Sequence, residues 1–164
     1  MILVTVGTEK FPFNRLMHWL EQLLQAGLIR EEVVVQYGTC TYVPSGTKVY
    51  RLLNERDFRS LIREARVVVA HCGEGTVLLL DDLSAPYILT PRSKRYGEHV
   101  DDHQIELAQA LADLGVPIAW GPADLARFLL QPIHASIQDL SVDAATSLSQ
   151  KLLERYGHSH ANGS

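Results

Sequence analysis

Residues 67–80 read VVVAHCGEGTVLLL. An apolar run, Val67 to Ala70, meets a His, a Cys and a Gly-Glu-Gly corner, and a second run follows from Thr76. Three readings compete: a tight turn that only glycine makes, a nucleophile turn, or a cradle for a phosphate. RVVVAH (66–71) reads as a strand and TVLLLDDLS (76–84) as a helix, so the corner falls at a strand-to-helix junction. Glycines there let the backbone turn sharply and let a ligand come close. The helix would open with unpaired N–H groups and the positive end of its dipole, a setting that suits a diphosphate. Thr76 then caps the helix or donates its hydroxyl to a phosphate, and His71 can donate to the same group. A turn and cap without a ligand is the plain alternative. The nucleophile reading is weaker. The elbow motif is Gly-x-Ser-x-Gly, whereas HCGEG has glycine at its centre. His71 and Cys72 are strand neighbours and point to opposite faces, which leaves Cys72 a buried, inert thiol.

Strands and helices alternate on either side of this stretch. Strands are expected at 2–6, 32–38, 48–53, 66–71, 86–91 and 116–120. Helices are expected at 13–27, 55–65, 76–84, 101–115, 123–131 and 141–156. In 13–27, for example, Leu16, Trp19, Leu20, Leu23 and Leu24 recur at helical spacing up to Gly27. Fully apolar strands that alternate with helices imply a parallel sheet covered on both faces. The expected fold is therefore α/β, a single doubly wound Rossmann-like domain over 1–156, with a disordered tail at 157–164. Ligands bind such sheets at the carboxyl ends of the strands. The loops around Gly7-Thr8, Gly38-Thr39, His71–Gly75 and Pro91–His103 all fall at those ends.

Composition narrows the function class. Of 164 residues 46% are apolar, enough for a real core. The net charge of −4 argues against nucleic-acid binding through phosphate contacts. MILVTVG lacks the features of a signal peptide, and no apolar run is long enough to span a membrane. Two isolated cysteines, Cys40 and Cys72, fit a reducing cytoplasm.

A second polar cluster, PRSKRYGEHVDDHQIELA (91–108), packs Arg92, Lys94, Arg95, Glu98, His99, Asp101, Asp102, His103 and Gln104 into one loop and helix start. His99 and His103 raise a metal site, but a helix cap at Asp101 would put His99 outside the helix. A solvated loop with an N-cap is the plain reading. Sugar recognition by His103 and Gln104, which offer paired donors and acceptors, is the other. Lys10 and Arg15 read as solvated. Arg92, Lys94 or Arg95 would suit a uronate carboxylate.

VTVGTEKFPFNRL (4–16), VVVAHCGEGTVLLL and PRSKRYGEHVDDHQIELA, in this order and spacing, resemble the C-terminal, nucleotide-sugar-binding half of GT-B glycosyltransferases of family 28. The resemblance extends over about residues 1–130. It points to the stand-alone version of bacterial exopolysaccharide clusters, similar to the soluble subunit of the dolichol-pathway UDP-GlcNAc transferase. It implies a UDP-sugar donor, transfer without a bound metal or other cofactor, and hexosyl transfer to a lipid-linked saccharide. His71, Gly73, Glu74, Gly75 and Thr76 match the diphosphate turn, with His71 stabilising the leaving group. Gly7 and Thr8 match the first glycine loop, and His103 and Gln104 the pair that reads the donor sugar. Glu98 and His99 belong to the Gly-Glu-His signature of the subtype. The uracil is expected near the fourth strand and its preceding helix. One departure stands out: Leu79 occupies the position where the family often keeps a ribose-binding Glu, and Asp82 shares roughly its helix face. The family also divides its work between two domains. The resemblance thus implies a separate, membrane-associated subunit that binds the acceptor and recruits this chain to the inner face of the membrane.

Overall fold

The computed structural model describes residues 1–131 and 133. Five strands form one sheet: β1 (Ile2–Thr5), β2 (Val33–Gln36), β3 (Lys48–Tyr50), β4 (Val67–His71) and β5 (Tyr87–Thr90). Their order is β3-β2-β1-β4-β5, and every pairing is parallel. Five helices connect or follow them: α1 (Asn14–Gln25), α2 (Glu55–Glu64), α3 (Glu74–Asp82), α4 (His103–Asp113) and α5 (Pro122–Leu130).

The apolar strands feed two cores because side chains alternate between faces. Ile2, Val4, Val33, Val35, Val67 and Val69 pack with α1 and α5 through residues such as Leu16, Leu20, Leu125 and Phe128. Leu3, Val34, Val68 and Ala70 pack on the other side with Ile62 of α2, Val77 and Leu80 of α3, and Leu107 and Leu111 of α4. A parallel sheet buried on both faces thus explains why these strands carry no polar alternation. The chain runs outward from β1 to β2 and β3, then returns to place β4 on the other side of β1. The crevice between the carboxyl ends of β1 and β4 is therefore the switch point, where this architecture admits ligands.

Several expected elements are shifted. The strand expected at 116–120 is reduced to one bridge, Ile118 beside Leu89. The Leu89 backbone uses Pro117 O and Ala119 N, and beyond Trp120 the chain turns into α5 at Gly121–Pro122. Pro117 has no N–H for a longer ladder. The strand expected at 48–53 ends at Tyr50. α3 starts at Glu74 rather than Thr76, so Gly73 takes the cap position and Thr76 lies inside the first turn. α4 starts at His103. The cap position is Asp102, not Asp101, and the Asp102 carboxylate instead accepts from the Lys94 N–H at 2.9 Å. Asp101 accepts from the His103 N–H at 3.1 Å. The helix expected at 141–156 and the tail at 157–164 lie outside the described residues.

Candidate functional site

A cavity of about 250 Å³ opens at the switch point. Gly7, Thr8 and Glu9 from the loop after β1 line it, with His71, Gly73, Gly75 and Thr76 from the junction of β4 and α3. Thr5 and Gln36, the last residues of β1 and β2, and an apolar wall of Leu52, Leu53 and Phe58 complete it.

His71 is the centre of this arrangement. Its ring is 5% exposed and lies between two glycines. A Cβ on Gly7 would overlap Nε2, and one on Gly73 would overlap Cε1. Gly7 also adopts φ +75°, where other residues are strained. These two glycines therefore make room for the imidazole of the protein itself. Gly75 differs: it is helical, exposed, and a Cβ there would meet nothing within 4 Å. Neither backbone conformation nor internal packing calls for glycine at 75, and the residue faces the cavity.

His71 Nε2 lies 3.0 Å from Thr76 Oγ1, and Nδ1 lies 3.2 Å from Gln104 Nε2. Burial, reinforced by the Arg92 guanidinium, lowers the His71 pKa to about 3, so the ring is neutral at physiological pH. Any donor role it has is that of a neutral N–H. No side chain caps α3, whose cap residue is Gly73. The first-turn N–H groups and the positive end of the dipole thus face the cavity beside the Thr76 hydroxyl.

The loop after β1 is held from two directions. Gln36 accepts from the Thr5 hydroxyl at 2.7 Å and donates to Gly7 O and Arg51 O, both at 3.1 Å. From the other side, Arg92 is fully buried and donates to Phe11 O, Glu98 O and Val6 O. Its guanidinium lies 4.9 Å from the centre of the Phe13 ring. Arg92 is therefore a brace and is closed to any uronate, contrary to its sequence reading.

Glu98 and Arg15 also depart from expectation. Glu98 is buried and takes both Nε and Nη2 of Arg15, at 2.8 and 2.9 Å, and the Ser93 N–H at 2.9 Å. Arg15 is partly buried and stacks on Trp19 and Tyr96. This bidentate pair clasps α1 to the loop after β5. His99 lies 2.9 Å from Asp101 and 3.8 Å from Glu9. His103 is half exposed, with Nδ1 2.9 Å from the same Asp101.

Among the sequence-predicted site residues, Gly7, Thr8, His71, Gly73, Gly75 and Thr76 come together around the cavity. Glu74, Glu98, His99, His103 and Gln104 do not line it. Gln104 touches it only through His71. Among the described residues no three His, Cys, Asp or Glu side chains converge on a metal position. Burial raises the Cys72 pKa to about 12, which makes it a poor nucleophile. Leu79 is partly buried against the core and does not line the cavity. Sequence reasoning missed Thr5, Glu9, Gln36, Leu52, Leu53 and Phe58. The signal for Gln36 was a polar residue that closes an otherwise apolar strand.

The glycosyltransferase family 28 C-terminal domain matches residues 1–154. Among solved structures, MurG from Acinetobacter baumannii superposes with a TM-score of 0.56 at 20% identity, covering 91% of this chain and 44% of MurG. The glycosyltransferase SnogD from Streptomyces nogalater gives 0.55 at 20% identity, over 93% and 39%. CalG4, the calicheamicin glycosyltransferase, gives 0.51 at 18% identity, over 94% and 38%. The chain thus spans less than half the length of these proteins, and the likeness is one of fold. No curated protein matches the chain. With its all-parallel sheet, its open switch point and a family match over nearly its whole length, the chain belongs to the glycosyltransferase family 28 C-terminal domains and has the fold of the C-terminal half of a GT-B enzyme.

Proposed function

We propose that the chain is the donor-binding subunit of a two-subunit UDP-sugar glycosyltransferase. It acts on a lipid-linked saccharide in exopolysaccharide or glycan biosynthesis. The observation that carries this reading is the cavity at the switch point, where an uncapped helix start, a glycine without internal cause and the Thr76 hydroxyl converge. The diphosphate lies over the start of α3 and takes N–H donors, the Thr76 hydroxyl and the loop at Gly7-Thr8, without a metal ion. The uracil lies against Leu52, Leu53 and Phe58. As the bond to the anomeric carbon breaks, negative charge develops on the leaving UDP, and these fixed donors stabilise it. The acceptor and the catalytic base come from a membrane-associated partner that draws this chain to the inner face of the membrane.

Calorimetric titration with UDP and UDP-sugars tests the reading. UDP binding that survives EDTA and is lost in Thr76→Ala and His71→Ala supports it, and a chain that binds no UDP with or without partner sinks it. Sugar transfer to a lipid acceptor that appears only on adding the partner supports the two-subunit arrangement. One observation favours a second reading: Leu79, partly buried against the core, stands where related sites often hold a ribose carboxylate. On that reading the chain is a non-catalytic nucleotide-binding subunit, and UDP binds but no transfer follows when the partner is supplied.

A further inference from the structure

We propose that Gln104 is a positioning residue that sets the tautomer of His71 and so turns the Thr76 hydroxyl proton toward the cavity. The proposal rests on the reading of that cavity as a diphosphate site. It gives Gln104 a role different from donor-sugar recognition.

The Arg92 backbone N–H can only donate, and it lies 3.1 Å from the Gln104 side-chain amide. The amide atom facing it is therefore the carbonyl oxygen, which leaves the NH₂ at the other end. That NH₂ lies 3.2 Å from His71 Nδ1 and can only donate in turn. Nδ1 must then present a lone pair. In a neutral imidazole the single proton accordingly sits on Nε2. Nε2 lies 3.0 Å from Thr76 Oγ1, so the hydroxyl oxygen accepts from the ring. The hydroxyl keeps its own proton for a third partner, and Thr76 lines the cavity.

The chain of donors thus runs in one direction, from the Arg92 backbone through Gln104, His71 and Thr76 to the ligand. Every member but the last is held in place. Gln104 is 5% exposed, His71 is wedged between Gly7 and Gly73, and Arg92 is pinned by three carbonyls. A hydroxyl oriented before the ligand arrives needs no reorganisation when charge develops on a phosphate. The opposite tautomer would leave Nε2 as an acceptor and draw the Thr76 proton back toward the ring.

The first test needs no ligand. Long-range proton–nitrogen correlation spectra of the ¹⁵N-labelled chain report which imidazole nitrogen of His71 is protonated. A protonated Nε2 with a bare Nδ1 at neutral pH is expected, and the reverse tautomer or an imidazolium would overturn the proposal. In Gln104→Glu the carboxylate has no N–H to give, so Nδ1 is expected to gain a proton. An unchanged Nδ1 in that folded variant would also overturn it. The second test separates positioning from sugar recognition. Gln104→Met should weaken UDP and UDP-sugar by the same factor, roughly tenfold for one hydrogen bond to a charged group. A loss confined to the UDP-sugar, with UDP affinity intact, would assign Gln104 to the sugar instead. The wild-type spectrum decides the tautomer even where a variant fails to fold. Failure of the wild-type chain to bind UDP would sink the cavity reading but would not change that spectrum.

Discussion

Helices α2 and α3 each follow a strand of the same parallel sheet, yet they begin in opposite ways. Asn54 caps α2: its side-chain oxygen accepts from the Asp57 N–H at 2.8 Å, and its amide donates to the Asp57 carboxylate at 2.8 Å. Glu55 and Asp57 add negative charge to that first turn. α3 begins after Gly73 with no side-chain cap hydrogen bond, and its first turn holds Gly75 and a single acid, Glu74. One helix end is closed by the chain's own side chains and the other is left open to a cavity. On the proposed reading, the difference is what leaves room for a ligand at α3. The same backbone donors exist at both ends, and only the residues around them determine whether a foreign group can reach them.

The strongest way to break this contrast is Gly73→Ala, which drives a methyl into the His71 ring. We expect a loss of about 2–3 kcal/mol in stability from overpacking and strain, and loss of measurable UDP binding. Urea unfolding and calorimetry read the two, and an unaltered UDP affinity would show that the His71 wedge is not needed. Acid should come next. His71 has a folded pKa of about 3, whereas an unfolded His titrates near pH 6.5. Between those values the unfolded chain binds the extra proton, so stability rises with pH and falls on acidification. The His71 share should be on the order of 2 kcal/mol between about pH 7 and pH 5. Urea midpoints of wild type and His71→Gln should diverge less as pH falls, and parallel profiles would contradict a neutral buried ring.

Smaller effects sharpen the comparison. Thr76→Val keeps the shape and removes the hydroxyl, so UDP affinity should fall roughly tenfold, and the buried His71 N–H left without its acceptor should cost about 1–2 kcal/mol of stability. At the other helix, Asn54→Ala should cost about 1 kcal/mol of stability and leave UDP titrations unchanged. Gly75→Ala should raise stability by about 0.5–1 kcal/mol, the usual gain for alanine in a helix, yet weaken UDP. A variant that is more stable but binds less tightly would separate the needs of the fold from those of the site.

Much of this molecule was legible from local pattern. The unbroken apolar strands required two buried sheet faces, and both cores exist. HCGEGT marked a strand-to-helix junction, where Gly73 lies against His71 and Gly75 faces the cavity. The 116–120 segment misled because an apolar run shows burial but not pairing. Pro117 and the turn into α5 limit it to a single bridge. The second cluster misled more. Arg15 read as solvated, as charged residues mostly are, Arg92 as suited to a uronate carboxylate, and Glu98 as part of a donor-site signature. Their partners lie up to 86 positions away, as with Arg92 and Val6 O, and no local pattern could pair them.

The amino-acid sequence by itself determined the fold class, the place of the glycines and the His-Thr pair five residues apart at one junction. Those features depend on periodicity and backbone freedom, which act over a few residues. The tertiary structure alone decided what the polar residues do. Burial made His71 neutral and made Arg92 a brace. The meeting of His71 with Gln104, 33 positions apart, oriented a hydrogen-bond chain. Local spacing encodes the shape of an element, whereas charge, tautomer and desolvation are set by neighbours that only folding brings together.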